Sequence, residues 1–246
     1  MRFMRSTLGL TLAAALGCLA LPPGTAHAAT KPTAKTKLTI SAPVRDNLYG
    51  TRAKFTVTLG PTVKDRKVTL YASPYGARTR KLVATGNVNA QGKWYPSYVI
   101  TRETLFTVVF AGDSHNAGNS SHIMLQAFAR VADRVAGSFK TTKIGGVSYQ
   151  VFHGSGTLTL YSTVTPQKHG QCLEPESQQY DAGTGWDADT KYGCDKLDTA
   201  SHDAAPFTLD QAVGDRYRIR SDYIRSTADR ANLNQHGPWV YFTVVK

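Results

Sequence analysis

Apolar and polar residues alternate along much of the chain, in short runs that end at proline or glycine. The clearest run covers residues 66–76, where Val68, Leu70 and Ala72 alternate with more polar neighbours before Pro74. Because successive side chains of a β-strand point to opposite faces, this period of two predicts a strand with one buried face. The same unit recurs to the last residue, so the sequence predicts an all-β protein.

Residues 37–135 contain seven predicted strands, with turn residues about every 8–12 positions. This spacing is typical of an immunoglobulin-like β-sandwich. The stretch 122–135 also fits a helix, because Leu125, Phe128 and Ala132 have helical spacing. We favour a strand there, since the sandwich would otherwise lack its last strand.

Residues 136–246 show the same alternation, beginning at Val147, Tyr149 and Val151. Later runs alternate around Tyr217 and up to the last residue. These runs predict a second β-sandwich, immunoglobulin-like or fibronectin type III-like. The predicted fold is therefore two sandwiches in tandem, residues 37–135 and 136–246.

Residues 1–28 have the composition of a secretory signal peptide. A basic start is followed by a mainly apolar, uncharged run over 8–21 and by Ala-His-Ala at 26–28. The apolar run is too short for a membrane-spanning helix, and no later segment is predicted to span one. The sequence therefore predicts a secreted protein, and residues 29–36 a flexible tail.

The cysteines fit an exported protein. Cys18 would leave with the signal peptide, or be lipidated if cleavage occurred just before it. Cys172 and Cys194 then form an even pair, which predicts a disulfide. His169 and His202 are the histidines close to this pair, and their spacing matches no zinc pattern, so we expect no metal.

Positive charge is concentrated in the first half. Residues 29–135 hold 16 basic and 5 acidic residues, a net charge of +11, whereas residues 136–246 hold 11 and 12, a net charge of −1. Two basic clusters flank the strand at 67–72, and we expect them to meet if neighbouring strands bring them together. Their members are Lys64, Arg66, Lys67, Arg78, Arg80 and Lys81. The clusters predict a surface for an anionic polymer; solubility is the alternative reason for the charge.

Three other groups of residues have two interpretations each. Trp186 lies in a turn and is a candidate for stacking on sugars, as is the stretch Trp94–Tyr98, although a stripe on a strand is usually core. The arginines at 216, 218 and 220 form either an anion-binding patch or the charged face of an edge strand, which we favour. The aspartates at 181, 187 and 189 form either a calcium loop or a solvated turn, and we favour the turn.

The first half resembles the bacterial immunoglobulin-like repeats of secreted actinobacterial proteins. The resemblance covers roughly residues 37–125 and rests on strand and turn patterns: Tyr49-Gly50, the run 68–72, Tyr75-Gly76, Gly92-Lys93 and the run 104–113. It implies the fold and an extracellular location. Patterns of this kind say little about function.

The chain contains no nucleophile elbow, zinc helix signature, phosphate-binding loop or dinucleotide fingerprint. We therefore predict a non-catalytic secreted protein without a cofactor. It would bind at the cell envelope, to an anionic cell-wall polymer or glycan. The alternatives are a carbohydrate-binding module and an enzyme with an unrecognised site. Export makes nucleic acid an unsuitable physiological partner.

Overall fold

The computed structural model describes residues 34–61, 65–210 and 213–246. The predicted signal peptide with Cys18, and Lys64 of the predicted basic clusters, lie outside these residues. All regular elements within them are β-strands, so the predicted all-β class is confirmed. None of the described residues forms a helix of the length and apolarity needed to cross a membrane.

The first sandwich is built from strands of the first half of the chain. They are β1 (Lys37–Ser41), β2 (Asp46–Leu48), β3 (Arg52–Lys54), β4 (Thr56–Gly60), β5 (Lys67–Pro74), β6 (Lys81–Asn87), β7 (Lys93–Trp94), β8 (Ser97–Val99), β9 (Thr104–Gly112) and β10 (Ala117–Phe128). One sheet has the order β1-β4-β7, with β3 and β8 pairing beside it, and the other β2-β10-β9-β5-β6. Alternation explains the core: Val68, Leu70 and Ala72 point inward, as do Phe106 and Val108, and all five are fully buried.

The second sandwich follows at once. Its strands are β11 (Arg130–Ala136), β12 (Lys140–Ile144), β13 (Val147–His153), β14 (Thr157–Thr165), β15 (Cys172–Asp181), β16 (Gly185–Trp186), β17 (Thr190–Lys191), β18 (Asp195–Lys196), β19 (His202–Thr208), β20 (Arg216–Ile224), β21 (Gln235–His236) and β22 (Val240–Val245). The small sheet has the order β11-β14-β19. The large sheet has the order β12-β13-β22-β20-β15-β16, with β17 and β18 paired to β15 and β21 paired to β20.

Both sandwiches use the same strand order. In each, the first strand and two later strands form one sheet, as in β1-β4-β7 and β11-β14-β19. In the opposite sheet the last strand, β10 or β22, pairs in parallel with an early strand, β2 or β13. This division of a Greek-key chain between two sheets is that of immunoglobulin-like domains. The predicted tandem of immunoglobulin-like sandwiches is therefore what the structure contains.

The boundary between the sandwiches differs from the predicted one. Strand β11, assigned from the sequence to the first sandwich, pairs along its whole length with β14 of the second. The chain crosses between the sandwiches at Ala129 in extended conformation, so the alternation continues without a break that could mark a boundary. With the observed boundary, residues 34–129 hold 13 basic and 4 acidic residues, a net charge of +9, and residues 130–246 hold 13 of each.

Residues 34–36, the last part of the predicted flexible tail, are hydrogen-bonded to the first residues of β10. The amide of Ala117 donates to the Ala34 carbonyl over 2.9 Å. The Thr36 hydroxyl donates to the Ala117 carbonyl over 3.0 Å, and the Asn119 amide donates to the Thr36 carbonyl over 2.7 Å. Residues 34–36 are therefore bound to the first sandwich before β1 begins.

The loop between β20 and β21 holds the two sandwiches together. The amide of Glu103 in the first sandwich donates to the Ala231 carbonyl over 2.7 Å, and that of Ala129 to the Leu233 carbonyl over 3.1 Å. The buried Asn232 side chain donates to the Thr101 carbonyl over 3.0 Å. Hydrogen bonds that are shielded from water in this way fix the orientation of one sandwich against the other.

A buried ion pair stabilises the loop between β20 and β21. The Lys168 ammonium lies 2.6 Å from an Asp229 oxygen, to which the Tyr223 hydroxyl also donates over 2.8 Å. Burial lowers the pKa of Lys168, although the carboxylate opposes this. Burial also disfavours the Asp229 carboxylate, but its bonds to Lys168 and Tyr223 prevail and keep its pKa below the usual value.

Candidate binding surfaces

The described members of the two predicted basic clusters do not meet. Strands β5 and β6 are neighbours, but they are antiparallel, with Lys67 opposite Asn87 and Ala72 opposite Lys81. The cluster before β5 and the cluster after it therefore lie at opposite ends of a hairpin, about 17 Å apart for five residues of strand. The physical reason is that the first cluster lies at the start of β5 and the second lies at the turn from β5 into β6. The length of β5 therefore separates the two clusters.

The charge of Arg66 is neutralised by a neighbouring carboxylate. Its side chain is only 8% exposed, and its guanidinium lies 3.5 Å from an Asp113 oxygen and donates to the Pro61 carbonyl over 3.1 Å. The groove beside it, of about 480 Å³, is lined by both Asp65 and Asp113 as well as by basic residues. The charges of this groove balance, which makes it a poor site for an anionic polymer.

The outward face of the small sheet in the first sandwich has the properties expected of such a site. Four cationic side chains project from it, and we call this surface the basic face: Lys37, Arg52, Lys54 and Lys93. No acidic residue lies at an outward position of β1, β3, β4, β7 or β8. None of the four forms an ion pair with a residue that the structure describes. The face therefore presents unneutralised charge.

The basic face is not evident from the sequence, because its residues are spread over 57 positions and none of them has another basic residue directly beside it. The sheet brings them together. Lys37 stands opposite Gly60 and Lys93 opposite Thr58, so the two lysines lie on either side of β4. Their outward positions in the alternation were a usable signal, but which strands are neighbours was not.

A groove of about 580 Å³ opens at one end of the basic face, beside Lys54, Ser97 and Tyr95. Tyr95 is 61% exposed. Trp94 and Tyr98, in contrast, pack against the core, and Tyr98 makes an edge contact with a core phenylalanine at 5.1 Å. The core interpretation of Trp94–Tyr98 is therefore correct for these two rings, and only Tyr95 is available to a ligand.

Trp186 belongs to a row of stacked rings and guanidinium groups on the outer face of the large sheet. Arg218 lies between Trp186 and Trp239, at 4.5 and 4.4 Å from the ring centres. Trp186 also contacts Tyr180 at 5.3 Å, and Arg216 covers Tyr180 at 3.5 Å. Because its own neighbours cover it on several sides, the Trp186 ring is not a free platform for a sugar.

The three arginines of this row lie on a central strand and not on an edge strand as expected. β20 is flanked by β15 and β22, so the arginine charges do not protect an open edge. Arg220 is paired with Glu176 and lies 3.7 Å from Asp222. The arginines therefore serve the internal structure of this face through cation–π contacts and ion pairs.

Glu176, Asp222 and His236 bring three possible metal ligands within 4.8 Å of one another. The Arg220 guanidinium bonds Glu176 and lies beside Asp222, so a positive charge already occupies the position that a cation would take. The donor set does not fit a metal ion for this reason. No sequence motif indicates the group, since Glu176 and Asp222 are 46 positions apart.

The acidic turn after β15 uses its first carboxylate within the turn. One Asp181 oxygen accepts hydrogen bonds from the amides of Gly183 at 2.7 Å and Thr184 at 2.9 Å. These bonds hold the pKa of Asp181 below its ordinary value. Asp187 and Asp189 are exposed, as expected for a solvated turn.

The predicted disulfide is present. Cys172 and Cys194 are bonded, with their Cα atoms 5.3 Å apart. The loop that the bond closes returns along β15, where β17 and β18 pair with it. The bond therefore fixes a local extension of the large sheet and does not join the two sheets.

No protein-family model and no curated protein sequence matches the chain. Among solved structures, a marsupial T cell receptor aligns with 85% of this chain and 73% of its own, at 11% identity and a TM-score of 0.34. A Salmonella α2-macroglobulin mutant aligns with 83% of this chain but 16% of its own, at 9% identity and a TM-score of 0.29. Scores this low support no functional argument, and the strand order alone carries the fold assignment.

Proposed function

We propose that this protein is a non-catalytic, extracellular protein that binds an anionic polymer of the cell envelope through the basic face of its first sandwich. The observation that carries the proposal is the unneutralised charge of Lys37, Arg52, Lys54 and Lys93 on a face without acidic side chains. The predicted signal peptide and the resemblance to secreted bacterial immunoglobulin-like repeats are the reasons for the extracellular location.

Charge distribution favours the first sandwich as the binding part. Its net charge is +9, and that of the second sandwich is zero. A polyanion that reaches this surface meets a field of one sign, which speeds association and stabilises the complex at low ionic strength. At 0.1 M salt, the attraction between exposed charges more than about 10 Å apart is largely screened. The affinity should therefore fall steeply as salt is added.

The dimensions of the sheet suit a repeating ligand. Outward side chains recur about every 7 Å along a strand and about 5 Å between strands, so a polymer with regularly spaced anionic groups can contact several cations at once. Between the cations lie hydroxyl groups that can donate to anionic oxygens or to sugar hydroxyls. They belong to Thr39, Thr56, Thr58 and Ser97.

The test compares two variants of equal net charge in co-sedimentation with cell-wall material and with a soluble glycerol-phosphate polymer. The first variant removes the basic face: Lys37→Gln, Arg52→Gln, Lys54→Gln and Lys93→Gln. The control removes four charges of the predicted clusters: Lys67→Gln, Arg78→Gln, Arg80→Gln and Lys81→Gln.

We expect the first variant to bind roughly 10- to 100-fold more weakly at low salt, at up to about 1 kcal/mol for each exposed contact, and the control to lose much less. Binding by the unaltered protein should fade over a few hundred millimolar salt. Equal losses in the two variants would assign binding to net charge alone. Absence of binding at low salt would refute the proposal.

A further inference from the structure

A cleft of about 330 Å³ lies where the two sandwiches join. One wall is the turn after β2, with Tyr49 and Thr51, and the other is β21, with Gln235 and His236. The connecting segment, with Val131, forms the floor. Clefts between domains are frequent sites for small ligands, and this volume lies at the lower end of the usual range of about 300–1,000 Å³.

Hydrogen bonds fix both walls. The Thr51 amide donates to the Leu48 carbonyl over 3.0 Å, and the Gly50 amide donates to the Ile100 carbonyl over 2.8 Å. Gly50 has a φ of 81°, a conformation that glycine adopts without strain. The opposite wall is paired to β20, with His236 opposite Asp222. The cleft therefore exists before any ligand arrives.

The His236 ring is oriented by a buried carboxylate. Its Nδ1 lies 2.6 Å from an Asp222 oxygen, and the Asp222 side chain is only 4% exposed. Because a carboxylate accepts hydrogen bonds, the hydrogen of this bond lies on Nδ1. In the neutral ring the other nitrogen, Nε2, is then an acceptor. The His236 side chain is 62% exposed. A ligand hydroxyl can donate to Nε2.

Arg130 supplies the charge of the cleft. It lines the cleft and is exposed, and its guanidinium has no ion pair or hydrogen bond with any residue that the structure describes. None of the described residues that line the cleft is acidic. One unpaired cation is therefore balanced by a ligand with one negative charge. Leu48, which is 60% exposed, offers apolar surface beside it, and Val131, which is 7% exposed, lies at the floor.

We propose that the cleft between the sandwiches binds a small hydroxycarboxylic acid. Arg130 holds the carboxylate, His236 Nε2 accepts the hydrogen bond of the neighbouring hydroxyl, and the apolar part of the ligand packs against Leu48 and Val131. The proposal does not depend on polymer binding by the basic face.

Three probes of similar shape separate these contacts. Mandelate has the carboxylate, the hydroxyl and a ring; phenylacetate lacks the hydroxyl, and benzyl alcohol lacks the carboxylate. Binding to the full protein is followed by calorimetry and by NMR shifts of the amides of Gly50, Thr51 and His236. We expect saturable binding of mandelate, roughly three- to tenfold weaker binding of phenylacetate, and at least tenfold weaker binding of benzyl alcohol.

Variants test each residue. Arg130→Gln should weaken mandelate roughly tenfold or more, whereas Arg134→Gln, on the same strand but stacked on Tyr161 at 4.1 Å outside the cleft, should not. His236→Phe should remove the preference for mandelate over phenylacetate. Thermal unfolding checks that each variant is folded, and Arg130 is exposed, so its replacement leaves the core intact.

Several results would overturn the proposal. They are no saturable binding of mandelate, equal binding of benzyl alcohol, equal losses in Arg130→Gln and Arg134→Gln, or tighter binding of phenyl phosphate than of mandelate. Shifts confined to the amides around Lys54 would place the probe on the basic face instead. Lys54→Gln should leave mandelate binding unchanged, so failure of this proposal is distinguishable from failure of polymer binding.

Discussion

Asp133 places a carboxylate inside the second sandwich. Asp133, Ser162 and Asp203 are aligned across β11, β14 and β19 and project inward between two separate apolar clusters of the core. One Asp133 oxygen accepts the Ser221 amide hydrogen over 2.9 Å. The other is buried and has no hydrogen-bond partner among the described residues. A carboxylate in this position is poorly solvated, so its neutral form is favoured.

Burial raises the pKa of Asp133 from 3.8 to about 6, and the neighbouring Asp222 carboxylate adds to the shift. A shift of this size corresponds to about 3 kcal/mol at 1.36 kcal/mol per pKa unit. The native state holds its proton more tightly than the unfolded chain does. Stability from this group therefore rises as the pH falls from about 7 through 6 to about 4, and it is lost again as the pH rises.

Replacing Asp133 by asparagine keeps the shape and removes the charge. We expect Asp133→Asn to be more stable than the unaltered protein by about 1–3 kcal/mol at pH 7.5, and the difference to shrink to about a third of that near pH 4.5 and to vanish below about pH 3. Urea unfolding followed by tryptophan fluorescence measures this, because Trp186 and Trp239 both report on the second sandwich. Asp187→Asn, in an exposed turn, serves as the control and should change neither value.

The pH dependence of the difference is the decisive observation. Other groups also titrate between pH 4.5 and 7.5, but they do so equally in both proteins, so the variant isolates Asp133. A gain of equal size at both pH values would mean that packing and not charge explains it. A loss of stability at pH 7.5 would show that the Asp133 carboxylate is better satisfied than its surroundings indicate, and the reasoning would be refuted.

Three further changes have clear expected outcomes in the same unfolding assay. Asp229→Ala leaves a buried lysine ammonium without its partner and should destabilise the second sandwich by about 3–5 kcal/mol. Cys194→Ala removes the disulfide that joins residues 22 positions apart and should lower the free energy of unfolding by about 3 kcal/mol. Reducing the disulfide of the unaltered protein should give the same loss. Gly86→Ala places a methyl group against the Trp94 indole and should destabilise the first sandwich by about 1–3 kcal/mol, with the second transition unchanged.

Alternation along the chain was sufficient to predict which side chains are buried in most strands. Val68, Leu70 and Ala72 were predicted to share one face, and all three are in the core. The disulfide was also predictable, because two cysteines remain when Cys18 is assigned to the predicted signal peptide, and these two have one possible pairing. The boundary at Ala129 was not, because the extended chain keeps its period of two as it passes from one sandwich to the next.

The candidate sites depended on information that the alternation does not contain. Lys37 and Lys93 share the basic face because β4 lies between their strands, and pairing over such distances depends on the whole topology. The same holds for His236 and Asp222, which become opposite neighbours across β20 and β21. Closeness in sequence was misleading for the clusters around β5, because the strand between them holds them at opposite ends of the hairpin.

The two sandwiches hold equal numbers of basic residues and differ in the number of acidic ones. This difference decides what their surfaces can bind. Each holds 13 basic residues, but the first holds 4 acidic residues and the second 13. In the second sandwich carboxylates stand next to the cations they neutralise, as Glu176 does with Arg220 and Asp229 with Lys168. On the first, no carboxylate that the structure describes pairs with the cations of the basic face. One strand order therefore supports two kinds of surface: an internally satisfied face that stiffens the domain, and an unsatisfied face whose charge is free for a partner.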